Sequence, residues 1–129
     1  MGWDKEVDIL VVGSGAGGLL SALVGAHNHA DVLVIEKESL WGGTSATSGA
    51  GIWIPNSDQA AAAGFQDDTK NAFKYVRKLS AKNVPDANIK AYVENAAHML
   101  RWVTANTELD YQAFPYPDYH AEEPGGSPQ

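Results

Sequence analysis

Three glycines set between two short apolar runs constrain this chain more than anything else in it. The stretch from Val7 to Lys37 reads VDILVVGSGAGGLLSALVGAHNHADVLVIEK. Val7 to Val12 is rich in β-branched residues and too short for a helix, which is how a strand buried on both faces reads. Gly13, Gly15 and Gly18 then fit G-x-G-x-x-G. A helical segment, Leu19 to His27, follows, and a second apolar run, Val32 to Ile35, ends at Glu36. A glycine-rich turn alone would suit many α/β domains. Strand, tight turn, helix, second strand and acid in that order specify a βαβ unit that holds a dinucleotide.

Each part has a chemical task. Gly13 lets the chain turn sharply off the strand. Gly15 has no side chain to keep a pyrophosphate from the backbone, and Gly18 lets the helix lie close on the sheet. The free N–H groups and positive dipole end of that helix face a doubly charged diphosphate. Glu36, closing the second strand, can accept hydrogen bonds from both ribose hydroxyls. The same carboxylate would repel a 2′-phosphate, which argues against an NADP-type ligand.

The chain has 129 residues, the length of one domain or part of one. Its net charge of −7 and the absence of any lysine or arginine block argue against nucleic acid or an anionic membrane as partner. With no cysteine, disulfides, thiolate metal sites and cysteine nucleophiles are excluded. His27 and His29 end the first helix, where a dipole role suits them better than a metal pair without nearby carboxylates. The charged opening, Met1 to Glu6, leads straight into the first strand, and no apolar run is long enough to span a bilayer. A cytoplasmic protein with no transmembrane segment is the expectation. Only two parallel strands can be read before the loop-like close from Glu122 to Gln129. Two such strands cannot cover their own faces, so the reading expects a fragment of a longer polypeptide.

Lys37 to Asn56 is a long stretch rich in glycine and hydroxyls, of the kind that contacts ligands. Gly42 and Gly43 would let the backbone approach a ligand, and Thr44, Ser45, Thr47 and Ser48 are small donors. Trp41, Ile52, Trp53 and Ile54 speak against a plain linker. Ser57 is placed to cap a short helix through Ala63, closed by Gly64. Asp67 or Asp68 caps a second, to about Ala81, with Ala72, Phe73, Val76 and Leu79 as its apolar face. A third starts near Pro85 and runs to about Thr104, with Ile89, Val93, Ala96, Leu100 and Val103 as its buried stripe. The segment from Leu109 to His120 is dense in aromatics and prolines. It either walls an apolar ligand pocket or packs the domain surface.

The residues VVGSGAGG, VIEK, GGTSATSGAGIWIPN and PDYHAEEPGG together resemble the N-terminal part of 3-ketosteroid Δ1-dehydrogenases. These belong to the wider fumarate reductase/succinate dehydrogenase flavoprotein class. The resemblance implies an α/β fold: a Rossmann-like FAD-binding βαβ unit with additional helices, incomplete within a larger two-domain flavoprotein. Residues 1–129 would be the N-terminal part of the FAD-binding domain, with the remaining sheet and the substrate domain elsewhere in the polypeptide.

By that resemblance the ligand is FAD. Gly13, Ser14, Gly15, Ala16, Gly17 and Gly18 would hold the pyrophosphate, Glu36 the adenosine ribose, and Lys37 would lie beside the adenine. Gly42, Gly43, Thr44, Ser45, Ser48, Gly49, Ala50 and Gly51 would line the flavin end. Attachment would be non-covalent, because relatives with linked flavin carry a histidine after the second strand and no histidine lies between Asp31 and Ala97 here. The implied reaction is ring-A desaturation of a 3-ketosteroid. A tyrosinate takes a proton from C2, a hydride leaves C1 for flavin N5, and an electron acceptor reoxidises the flavin. Tyr119 matches the tyrosine of the PDY motif, with a supporting role: a hydrogen bond that lowers the pKa of the base tyrosine. His120 follows where some members have a second tyrosine. The base itself would lie beyond Gln129. A Δ4-(5α)-ketosteroid dehydrogenase, a fumarate- or urocanate-type reductase, and a non-catalytic nucleotide-binding module are the rival readings.

Overall fold

The computed structural model describes residues 2–126 and divides into two compact units, one ending at Ile52 and one beginning at Trp53. In the first, β1 (Ile9–Val12) is followed by α1 (Ala16–His27), β2 (Val32–Ile35) and the short α2 (Gly43–Thr47). The strands pair in parallel, in a register from Ile9 opposite Val32 to Val12 opposite Ile35. Helix α1 is the crossover between them, as parallel pairing requires.

β1 starts two residues later than expected. The Asp31 carbonyl takes the amides of both Asp8 (3.0 Å) and Ile9 (3.1 Å), so regular pairing ends there. Nor is the strand covered on both faces. Val11 lies under α1 and is 9% exposed, whereas its neighbours Leu10 and Val12 are 55% and 77% exposed. Strand side chains alternate, and among the described residues α1 covers one face only. The helix begins three residues earlier than expected, taking in Ala16, Gly17 and Gly18. Glycine is a poor helix former, but here contact with the strand decides. A Cβ on Gly18 would sit 2.2 Å from the Gly13 carbonyl oxygen, and one on Gly25 2.9 Å from Ile9 Cδ1. Gly13 turns the chain off β1 with φ +98°, a conformation that side chains disfavour.

The second unit is helical: α3 (Asp58–Ala62), α4 (Thr69–Leu79) and α5 (Asp86–Asn106). Ser57 Oγ accepts from the Ala60 amide (3.2 Å) and caps α3, while Asp68 Oδ1 accepts from the Asn71 amide (2.8 Å) and caps α4. The α5 stripe of Ile89, Val93, Ala96, Leu100 and Val103 is buried throughout. The face of α4 is rotated from the expected one. Ala72 and Tyr75 are its buried residues, and Leu79 is 43% exposed. Tyr75 is drawn inward by Trp53, whose ring lies 5.4 Å from its own.

Arg77 donates to the carbonyls of Val84 (2.6 Å) and Ala81 (2.7 Å) and to Asp86 (3.0 Å), locking the turn between α4 and α5. Arg101 grips Asp58 with two bonds of 2.6 and 2.7 Å, tying α5 to α3. Leu100 is 4% exposed at the centre of the α5 stripe. Leu100→Ala is expected to cost about 2–5 kcal/mol, read as a lower denaturation midpoint of the full-length protein. Among the described residues, no helix is long and apolar enough to cross a membrane.

Candidate dinucleotide site

The first turn of α1 is where the site begins. Gly15 precedes the helix in extended conformation, and no acidic side chain lies in the first turn. The Ala16 amide donates to Ser45 Oγ (3.3 Å). Among the described residues the amides of Gly17 and Gly18 have no partner. Ala16 and Gly17 are exposed, and a Cβ on Gly15 or Gly17 would meet nothing within 4 Å. Unfilled donors, a positive dipole end and open space beside Gly15 fit a diphosphate.

Glu36 follows β2 directly and stands beside that turn. Its Oε2 accepts from the Ser14 hydroxyl (2.5 Å) and the Ser14 amide (2.9 Å). Its Oε1 accepts from the amides of Lys37 (2.8 Å) and Glu38 (3.2 Å). These bonds, the Ser14 hydroxyl foremost, hold the carboxyl down at about 2 against a usual 4.5, with partial burial opposing them. Glu36 is therefore ionised at any working pH. The sign follows from the direction: the stability it contributes is complete above about pH 4.5 and is lost as pH falls toward about 2. Acid titration of the folded protein should accordingly show Glu36 protonating well below the usual carboxylate range, by carboxyl NMR shifts.

Ser14 is 2% exposed, and its hydroxyl also accepts from the Gly42 amide (2.8 Å). That bond brings the turn at Gly42 against the glycine loop, so that a Cβ on Gly43 would lie 3.5 Å from Gly15 Cα. Gly42 itself has φ +105° and opens α2, a helix where sequence suggests only loop. Thr44, Ser45, Ser48, Gly49, Ala50 and Gly51 are exposed on and after α2. Lys37 is exposed, with its ammonium 3.4 Å from Glu38. The structure thus brings Gly13 to Gly18, Glu36, Gly42, Gly43 and Ser45 together. Lys37 and the segment from Ser48 to Gly51 stand open to solvent.

In the second unit the segment ending in Gly126 folds back on α4. A Cβ on Gly125 would lie 2.3 Å from the Asn71 carbonyl oxygen, and Lys78 stands 3.7 Å from Glu123. Trp53, Tyr75, Asp118, Tyr119 and His120 border a shallow concavity of about 420 Å³. Burial pushes the Tyr75 hydroxyl up, and the neighbouring Asp118 carboxylate adds to it. Asp118 Oδ2 is buried without a hydrogen-bond partner. Tyr119 is 90% exposed, and Phe114 and Tyr116, stacked on each other, are 75% and 62% exposed. Sequence reasoning did not single out Tyr75 and Asp118, which are 43 positions apart along the chain. The buried stripe of α4, read with Tyr75 in place of Leu79, would have found the first of them.

The chain is 39% identical to the 3-oxosteroid 1-dehydrogenase of Mycobacterium tuberculosis over 96% of its own length and 22% of that enzyme's. It is 38% identical to the 4-oxocyclohexanecarboxylate 2-dehydrogenase of Sinomonas cyclohexanicum, over 92% of its length and 21% of the relative's. The crystal structure of 3-ketosteroid Δ1-dehydrogenase from Sterolibacterium denitrificans, in complex with 1,4-androstadiene-3,17-dione, superposes with a TM-score of 0.81. That match has 37% identity and covers 95% of this chain and 22% of the other. The chain therefore spans under a quarter of the length of the relatives it matches. The FAD binding domain family matches residues 8–127, and with the glycine loop, Glu36 and the α1 terminus arranged as they are, this chain belongs to it.

Proposed function

We propose that this chain is the N-terminal part of the FAD domain of an enzyme that desaturates ring A of 3-ketosteroids between C1 and C2. The observation that carries the reading is a likeness extending over 95% of the chain to an enzyme crystallised with a steroid dienone. The open, amide-lined turn at Gly15 supports the cofactor. When bound, FAD supplies the hydride acceptor. The chain's own residues bind and orient it: the glycine loop takes the diphosphate, Glu36 the ribose, and the segment from Gly42 to Gly51 the flavin side. Attachment is non-covalent, consistent with the lack of histidine between Asp31 and Ala97.

Tyr119 acts on the proton-transfer side. Its hydroxyl supports a base tyrosine elsewhere in the polypeptide by favouring the tyrosinate, which removes a proton made acidic by the neighbouring ketone. The remaining polypeptide completes the sheet and the steroid site. A cytoplasmic location and an external electron acceptor belong to the same proposal.

The test is the full-length protein with 4-androstene-3,17-dione and an artificial acceptor. A yellow protein that forms the 1,4-diene supports the reading; a yellow protein inert toward 3-ketosteroids overturns it. A second reading, favoured by the relative acting on 4-oxocyclohexanecarboxylate, is a dehydrogenase of smaller ring ketones. The proton again comes from beside a carbonyl, so 4-oxocyclohexanecarboxylate in the same assay separates the two.

A further inference from the structure

We propose that Ser14 is a positioning residue and not a phosphate ligand: its buried hydroxyl fixes the Glu36 carboxylate and the Gly42 turn relative to the glycine loop, and so sets the ribose end of the cofactor site. The inference rests on the FAD reading above. A hydroxyl has one proton to donate, and that proton goes to Glu36 Oε2 at 2.5 Å. Its lone pair takes the Gly42 amide at 2.8 Å. At 2% exposure Ser14 has nothing left to offer a phosphate. One side chain therefore joins three pieces of backbone, the turn after β1, the end of β2 and the turn before α2.

The joint has a chemical consequence. Glu36 takes two donors on each oxygen, which fix the orientation of its carboxylate. Three of the four are backbone amides fixed by the fold, and the Ser14 hydroxyl is the one donor a side-chain substitution removes. The charged groups near Glu36 are Lys37 and Glu38, which pair with each other at 3.4 Å. β1, β2 and α2 carry no charged residue, and α1 carries only His27 at its far end. Among the described residues, hydrogen bonds and not a neighbouring cation hold Glu36 ionised.

The experiment uses Ser14→Ala, Glu36→Gln and the double variant of the full-length protein. FAD affinity is measured from pH 7 downward, and acid unfolding is followed on the apoprotein. Ser14→Ala is expected to weaken FAD about 10-fold at pH 7. The pH at which FAD is released should rise by about one unit, since the Glu36 pKa climbs back toward its ordinary value. In the Glu36→Gln background the same substitution should cost less than about 2-fold more. A loss equal at every pH and equal in both backgrounds would mean that Ser14 only packs, and would overturn the proposal, as would unchanged affinity. If Ser14→Ala does not fold, Ser14→Thr and Ser14→Cys run the same comparison. Thr, keeping the hydroxyl, should match wild type, and a Cys variant with the wild-type acid limb overturns the idea. The apoprotein separates this from the FAD reading. A wild type that binds no FAD refutes that reading, while a higher acid-unfolding midpoint in apo Ser14→Ala still reports the Ser14–Glu36 bond.

Discussion

Gly15→Val in the full-length protein will give a folded protein without flavin. Gly15 has φ −67° and ψ 173°, an extended conformation that valine adopts without strain. A Cβ there meets no protein atom within 4 Å, so the fold has no reason to object. That space adjoins the first turn of α1, where the Gly17 and Gly18 amides have no partner among the described residues. Overpacking that space should weaken FAD binding by roughly 100-fold or more, about 3 kcal/mol. Gly18→Ala is the control and should fail in the opposite manner. Its Cβ would lie 2.2 Å from the Gly13 carbonyl oxygen, so α1 must move off β1 and the thermal midpoint should fall. Absorbance at the flavin band and a melting curve on both variants distinguish the outcomes. A yellow Gly15→Val protein would remove the diphosphate from this turn.

If the full-length protein desaturates 3-ketosteroids as proposed, Tyr119→Phe should lower its kcat by about 10- to 100-fold while KM moves less than about threefold. The tyrosine ring is 90% exposed, and its hydroxyl bonds to nothing among the described residues. Its removal should leave stability within about 0.5 kcal/mol of wild type. A rate loss without a stability loss is then a catalytic effect. The alkaline direction of the pH–rate profile carries the mechanism: a base tyrosine deprived of its supporting hydrogen bond needs a higher pH to ionise. An unchanged kcat at saturating steroid would remove Tyr119 from the reaction.

What could be read from sequence was whatever depends on neighbours along the chain. β2 runs from Val32 to Ile35 as its apolar pattern says, and the α5 stripe is the one its spacing gives. The caps at Ser57 and Asp68 act three residues away, within reach of local inspection. Misreadings occur where a distant partner decides. α1 starts at Ala16 because Gly18 lies against Gly13 across the turn, which outweighs the poor helix propensity of two glycines. α2 exists beside a hydrogen bond spanning 28 residues, from Gly42 to Ser14. Tyr75 replaces Leu79 in the core because Trp53 and the 118–126 segment come to it. At the site, the residue types were legible and their division of labour was not. Nothing in GSGAGG says that the serine faces inward to Glu36.

The exposed backbone from Gly49 to Gly51, with Ala50 at φ +59°, has no regular partner on either side. Stretches of that kind are where proteases enter. If the isoalloxazine ring rests there, occupancy would shield the peptide bonds from cleavage. Brief digestion, scored by fragment mass, would then act as a gauge of cofactor loading that needs neither colour nor turnover.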